Sequence, residues 1–301
     1  MKRKVLILFS YSAIPQLESL DAFYRHLLGR YYTEAYAEEG REKFEEVGFP
    51  DPLTEVTERI AEALEGQLST EDEQWRVVIG CKHTEPFIED VARRASQEAD
   101  ELFTLPLTPL YSTTGVKWYE QKVERIANEY AIPVRHIGPF GEDEAFIQLL
   151  QNRLRRTLHW LGKEKKEAHI LFTSHSMPGI RKANVEFIRS YETLVQRIMR
   201  PFSQSCSITY RSGRPAPEKW LGPDVKEVCT QLLEERPRPI VAFELMSIIE
   251  NVEAREEVGR DIQTITKRYD VPFVQVPYLN DSFEFVQCLL RYIKNAIHQK
   301  G

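Results

Sequence analysis

A chain of 301 residues is long for a single core and suits two α/β domains. Its 42% hydrophobic and 29% charged residues supply ample material for a packed interior, which excludes a disordered chain. A formal charge of −6 excludes the general basic face that nucleic acid requires, and no run approaches the ~18 apolar residues of a membrane span.

The opening "MKRKVLILFS" starts basic, but its apolar run is too short for a secretory h-region and leads into polar helix, so a cytoplasmic protein is expected. The first predicted strand is Val5–Ser10. An insert at 31–68 follows it, within a region holding three helical patterns, "LESLDAFYRHLLGR", "TEAYAEEGREKFEEVG" and "PLTEVTERIAEALEGQL". That is more than a crossover needs, and extra helices at the carboxyl edge of an open sheet can form the lip of a cleft. Strands Arg76–Cys81, Leu102–Leu107 and Val134–Pro139 come next, separated by "PFIEDVARRASQEA" and "VKWYEQKVERIANEY". The charged stretch "LGKEKKEA" then divides the chain, and the second half repeats the alternation with Ile170–Ser174, Cys206–Arg211, Ile240–Leu245 and Phe273–Pro277. Short apolar runs alternating with amphipathic helices mark βαβ units feeding parallel sheets. Ile7-Leu8-Phe9 and Pro15 are spaced as Ile170-Leu171-Phe172 and Pro178 are, so the halves begin alike. Two doubly wound domains, each with a four-stranded parallel sheet, are the simplest architecture. The expected boundaries are 1–110 and 111–281, with the C-terminal helix 282–301 crossing back onto the first domain.

Cys81, Cys206, Cys229 and Cys288 lie far apart with no C-x-x-C pair, so neither an iron–sulfur cluster nor a zinc ribbon is signalled.

His175 follows the strand in "ILFTSHSMP", at the edge where doubly wound folds bind ligands. An imidazole there can take a proton near neutral pH or bind a divalent metal, or it can simply be hydrogen-bonded within a tight turn. Glu253, Glu257 and Asp261 are spaced i, i+4, i+8, which aligns three carboxylates on one helical face. Such a row calls for a cation or a basic partner. A solvated acidic face interleaved with Arg255 and Arg260 is the alternative.

"SHSMP", "KWLGPDV", "GCKHTEPFIEDV" and "PLYSTTGVKWY" together resemble the ferrochelatases, which insert iron(II) into a porphyrin, and particularly the coproporphyrin-using type of Gram-positive bacteria. The resemblance runs from "YSAIP" to the C-terminal helix. It implies a chelatase-like fold of two Rossmann-like domains with a porphyrin cleft between them. It also implies His175 and Glu253 as the catalytic pair, with Glu257 and Asp261 continuing a metal-handling acidic line from them. Tyr11, Lys43, Lys82 and Tyr119 fall on positions implied to bind porphyrin, and His83 on a pattern position beside them. Fe2+ is then a substrate, no permanent cofactor is expected, and the partners are porphyrin and metal acting on a monomer.

Departures lie at the rim. Leu27-Leu28 stand before Gly29 where the family has two arginines, Lys43-Phe44 where it often has Arg-Tyr, Asp51 where it has serine, and Asn251 where it has histidine. Carboxylates favour arginine forks, so propionate recognition is expected to be weakened. Coproporphyrin III and protoporphyrin IX are both open as substrates. A non-catalytic porphyrin- or haem-binding paralogue, or a chelatase for another tetrapyrrole or metal, is the alternative function.

Overall fold

The computed structural model describes residues 2–12, 14–48, 50–213 and 219–298. Its strands form two four-stranded sheets, every pairing parallel. The first sheet contains β1 (Lys2–Ser10), β2 (Glu73–Cys81), β3 (Glu101–Pro106) and β4 (Val134–His136) in the order β2-β1-β3-β4. The second repeats that topology as β6-β5-β7-β8, with β5 (His169–His175), β6 (Ser205–Arg211), β7 (Ile240–Glu244) and β8 (Phe273–Gln275).

The apolar runs of β1 and β5 are continuous because each lies inside its sheet and is covered on both faces. β1 begins three residues earlier than its apolar run suggests. The buried Lys4 pairs with Glu73, and Lys2 lies 3.1 Å from Glu101, so charged residues extend the ladder. β4 and β8 are shorter than expected; as edge strands they pair on one side only.

Between β1 and β2 run α1 (Ser19–Leu28), α2 (Glu34–Val47) and α3 (Pro52–Leu68), the three helices anticipated from the pattern. α4 (Ile88–Glu98) and α5 (Trp118–Glu129) are the crossovers to β3 and β4, and their apolar faces bury Val5, Ile7 and Phe9. In the second half, α6 (Glu144–Trp160) leads into β5, followed by α7 (Val185–Met199) and α8 (Val225–Glu235). After β7 come the short α9 (Val252–Ala254), a wide i→i+5 turn over Arg255–Arg260, and α10 (Asp261–Arg268). α11 (Phe283–His298) closes the described chain; residues 299–301 of the expected C-terminal helix lie outside it.

The chain divides into one compact unit of 1–107, 111–140 and 280–301 and another of 108–110 and 141–279. The boundary expected at 110/111 is therefore corrected. β4 pairs with β3, so 111–140 complete the first sheet, and the second unit takes up the chain at 141. α11 belongs to the first unit, where the Tyr292 hydroxyl donates to the Pro139 carbonyl (2.9 Å) and Arg135 donates to that of Ile297 (2.9 Å).

His169, at the start of β5, is buried between two hydroxyls, with Nδ1 2.8 Å from Ser205 Oγ and Nε2 2.9 Å from Ser207 Oγ. Burial, helped by the charge of Arg238, pushes its pKa down to about 4. An unfolded histidine titrates near ~6.5, so below that the unfolded chain binds the proton first. His169 thus contributes stability that is complete above pH ~6.5 and lost as pH falls towards 4, roughly 2–3 kcal/mol in all. Urea titrations at pH 7 and pH 4.5 are expected to show a smaller acid loss for His169→Gln than for the parent; equal losses would refute the assignment.

Candidate active site

In the second unit, three adjacent strand ends bring charge together. The parallel register sets His175 of β5 opposite Arg211 of β6, and Thr173 of β5 opposite Glu244 of β7. Because the chain runs from β5 out to β6 and then back to β7 on the other side, this is the sheet's topological switch point, where open α/β sheets bind ligands.

His175 is held by its own turn. Its Nδ1 lies 2.7 Å from the Ser176 carbonyl oxygen, which can only accept, so Nδ1 carries a hydrogen. In the neutral ring Nε2 therefore presents a lone pair, and it faces Glu253 Oε2 at 3.7 Å. The turn is fastened to the "KWLGP" segment. Ser176 Oγ donates to the Leu221 carbonyl (2.7 Å), and the Leu221 amide donates to the Met177 carbonyl (3.0 Å). Those bonds give the two motifs a shared structural reason: each satisfies the other's backbone.

Glu253 sits in the first turn after β7. Asn251 caps that turn, its side-chain oxygen accepting from the Ala254 amide at 2.9 Å. Glu253 Oε2 also accepts from Arg211 Nη1 at 2.7 Å. Arg211 is 2% exposed and is held on every side: Nε by Glu244 (3.0 Å), Nη1 also by Glu257 (3.2 Å), and Nη2 by Ser247 Oγ (2.9 Å). Glu244 is itself fixed by the Met246 and Ser247 amides, both at 3.0 Å. Ser212, at the left-handed φ of +58°, donates its hydroxyl to Glu257. A serine kept in that strained region beside a site is held by the contacts around it.

Burial opposes the charge on Arg211, but Glu244, Glu253 and Glu257 outweigh it and hold the guanidinium protonated well above its usual range. Partial burial would raise the half-exposed Glu253 carboxyl, but the His175 and Arg211 charges prevail and hold it well below the usual carboxylate range. Glu253 is thus an anion within reach of His175 Nε2, suited to stabilising a proton on His175 or a metal cation next to it.

The first unit places an aromatic group at the end of β1 and β2. The half-exposed Tyr11 ring lies 4.8 Å from that of His83, whose Nδ1 is 3.0 Å from His26 Nδ1. Burial, with the nearby Lys82 and His26 charges, pushes His83 down to about 4. Lys82 lies over the Trp118 ring at 4.7 Å and donates to the Thr114 carbonyl (2.9 Å); burial lowers its pKa.

Comparison with known proteins decides the family: the Ferrochelatase family model matches residues 7–297. The chain belongs to the ferrochelatase family. It is 25% identical to a coproporphyrin III ferrochelatase of Anoxybacillus flavithermus, over all of this chain and 99% of that one. It is 26% identical to that of Oceanobacillus iheyensis, over 92% and 94% of the two chains. Among solved structures, SirB from Bacillus subtilis with Fe3+ aligns over 99% of this chain and 97% of its own, with a TM-score of 0.63 at 13% identity. That likeness supports the two-domain chelatase fold.

Within this ferrochelatase-family site, His175 and Glu253 stand together, but the four expected metal residues do not form one constellation. Glu257 is held by Arg211 and Ser212, and Asp261 lies 3.3 Å from Lys226. Among the described residues no group of three or more His, Cys, Asp or Glu side chains is placed to hold a metal ion. The acidic row is compensated by protein cations instead.

Tyr119, expected at the porphyrin, is a core residue: 7% exposed, stacked on Phe9 at 4.7 Å, and donating to the Ser10 carbonyl. Lys43 is exposed on α2, 3.4 Å from Glu39. Asp51 is not a rim charge. It is buried and caps α3, accepting from the Leu53 amide at 3.1 Å.

Arg211 and Glu244 were missed by sequence reading. The available signal was a charged residue ending each of two buried strands, "TYR" and "AFE", where charge without a partner is costly.

Proposed function

We propose that this chain is an active ferrochelatase that inserts Fe2+ into a porphyrin in haem biosynthesis, with coproporphyrin III the first candidate substrate. The relatives named for that activity share its whole length, which supports the choice. The observation that carries the reading is the 3.7 Å approach of Glu253 to Nε2 of His175, the ring nitrogen that its turn leaves open.

Insertion replaces two pyrrole protons by one divalent cation. His175 Nε2 takes a proton from a pyrrole N–H, releases it to solvent and takes the second. Glu253 stays ionised throughout: it stabilises each imidazolium and offers a carboxylate to the incoming Fe2+. Both effects need the charge in place before the reaction, and Arg211 supplies that preorganisation. Bending the flat macrocycle draws on binding energy at its edges. Tyr11, Lys82 and Lys43 are the proposed contributions of the first unit to porphyrin binding.

The neutralisation of Glu253 and Glu257 by Arg211 favours a second reading, a porphyrin- or haem-binding paralogue without catalysis. Anaerobic incubation with Fe2+ and coproporphyrin III, protoporphyrin IX and sirohydrochlorin in turn separates the two. Loss of the free-base absorption bands with one of the porphyrins is expected. Binding without metallation for every tetrapyrrole would leave the paralogue. Among the described residues no helix is long and apolar enough to cross a membrane. The proposal includes a cytoplasmic monomer, testable by sedimentation and fractionation.

A further inference from the structure

Arg211 and Glu244 lie deep behind the pair that handles the metal, 2% and 1% exposed at their side chains, and neither takes a proton or meets the ring in the proposed chemistry. A buried ion pair is weak evidence for stability, since desolvation offsets most of its attraction. Placement sets this one apart. The guanidinium nitrogen that reaches Glu257 also reaches Glu253 Oε2, the same oxygen that faces His175. The buried pair is therefore wired to the exposed face of the site, where Glu253 is 51% accessible.

The charges can be counted. Three carboxylates, Glu244, Glu253 and Glu257, surround one guanidinium. On the same helical stretch Glu250 pairs with Arg255 at 2.6 Å and Asp261 with Lys226. The carboxylates outnumber the one guanidinium they share, and that excess favours a cation beside them.

We propose that Arg211 and Glu244 are a built-in counter-charge pair that sets how tightly the site holds a divalent metal. Arg211 prevents the carboxylates from trapping the ion, and Glu244 prevents Arg211 from repelling it. Both are positioning residues acting through Glu253 and Glu257. The inference rests on the reading of His175 and Glu253 as the metal-handling pair.

A charge ladder tests it: R211K, R211Q, E244Q and R211Q/E244Q, compared with the parent for half-saturating Fe2+ in metallation and for Co2+ binding by calorimetry without porphyrin. A unit charge about 6 Å from a divalent ion, screened to a water-like dielectric at an open site, is worth about tenfold in affinity. R211Q is expected to lower half-saturation about tenfold and to slow turnover, E244Q to raise it about tenfold, and R211K to stay near the parent. The double variant restores the net charge and is expected within about threefold of the parent value.

Weaker metal binding in R211Q, or a double variant no better than E244Q, overturns the proposal. If R211Q does not fold because Glu244 is left buried without its partner, E244Q against the double variant still decides. A flat ladder on a protein that metallates porphyrin refutes this inference alone. A parent that metallates nothing refutes the chelatase reading, and the Co2+ ladder then judges the inference by itself.

Discussion

Exchanging His175 for alanine is expected to slow iron insertion by about 10²–10⁴-fold, the range a positioned general base contributes. The carbonyl of Ser176 engages Nδ1, so Nε2 is the ring nitrogen with the geometry to take the pyrrole proton. No other described residue places an imidazole against Glu253. Porphyrin affinity should remain within a few-fold, because the ring's edges are gripped elsewhere. Single-turnover absorbance with pre-bound porphyrin and excess Fe2+ separates the two quantities, and added imidazole should restore part of the rate. Glu253→Ala should be almost as slow without unfolding the protein, since Arg211 keeps Glu244 and Glu257 as partners. A His175→Ala protein that metallates porphyrin at the parent rate would overturn the assignment of the base.

Tyr119→Ala is expected to destabilise the first unit by about 3–5 kcal/mol, as truncating a large core aromatic does. Its ring is stacked on Phe9 among the apolar side chains of α4 and α5, leaving a cavity that the crossover helices cannot collapse into without losing their own packing. Tyr119→Phe should lose only about 1 kcal/mol. The Ser10 carbonyl that its hydroxyl addresses also accepts from the Lys82 amide at 3.2 Å and so keeps a partner. Denaturant midpoints measure the loss, and a porphyrin titration of the folded Tyr119→Phe protein should match the parent. Unchanged stability with much weaker porphyrin binding would make Tyr119 a contact after all.

The alternation of apolar runs and amphipathic helices determined the α/β class, the eight strands and the repeated halves, because parallel crossovers and buried strands impose those patterns locally. His175 and Glu253 were legible as candidates too, one at a strand end and the other in the helical turn that follows β7. Which strands became neighbours was not. Arg211 is 36 residues from His175 in the chain and stands beside it only through the β5–β6 register, and Glu244 joins them only because β7 returns to the other side of β5. The acidic row was read correctly as needing a cation, but its spacing could not say whether a metal or a side chain would answer; the folded sheet supplied Arg211, and α8 supplied Lys226. Tyr119 and Asp51 show the same limit from the other side. Their residue types suit a binding rim, while packing against Phe9 and the start of α3 gives them structural tasks. Local pattern encodes which segments fold into which elements, whereas charge compensation and burial depend on long-range register, which exists only once the sheets have formed.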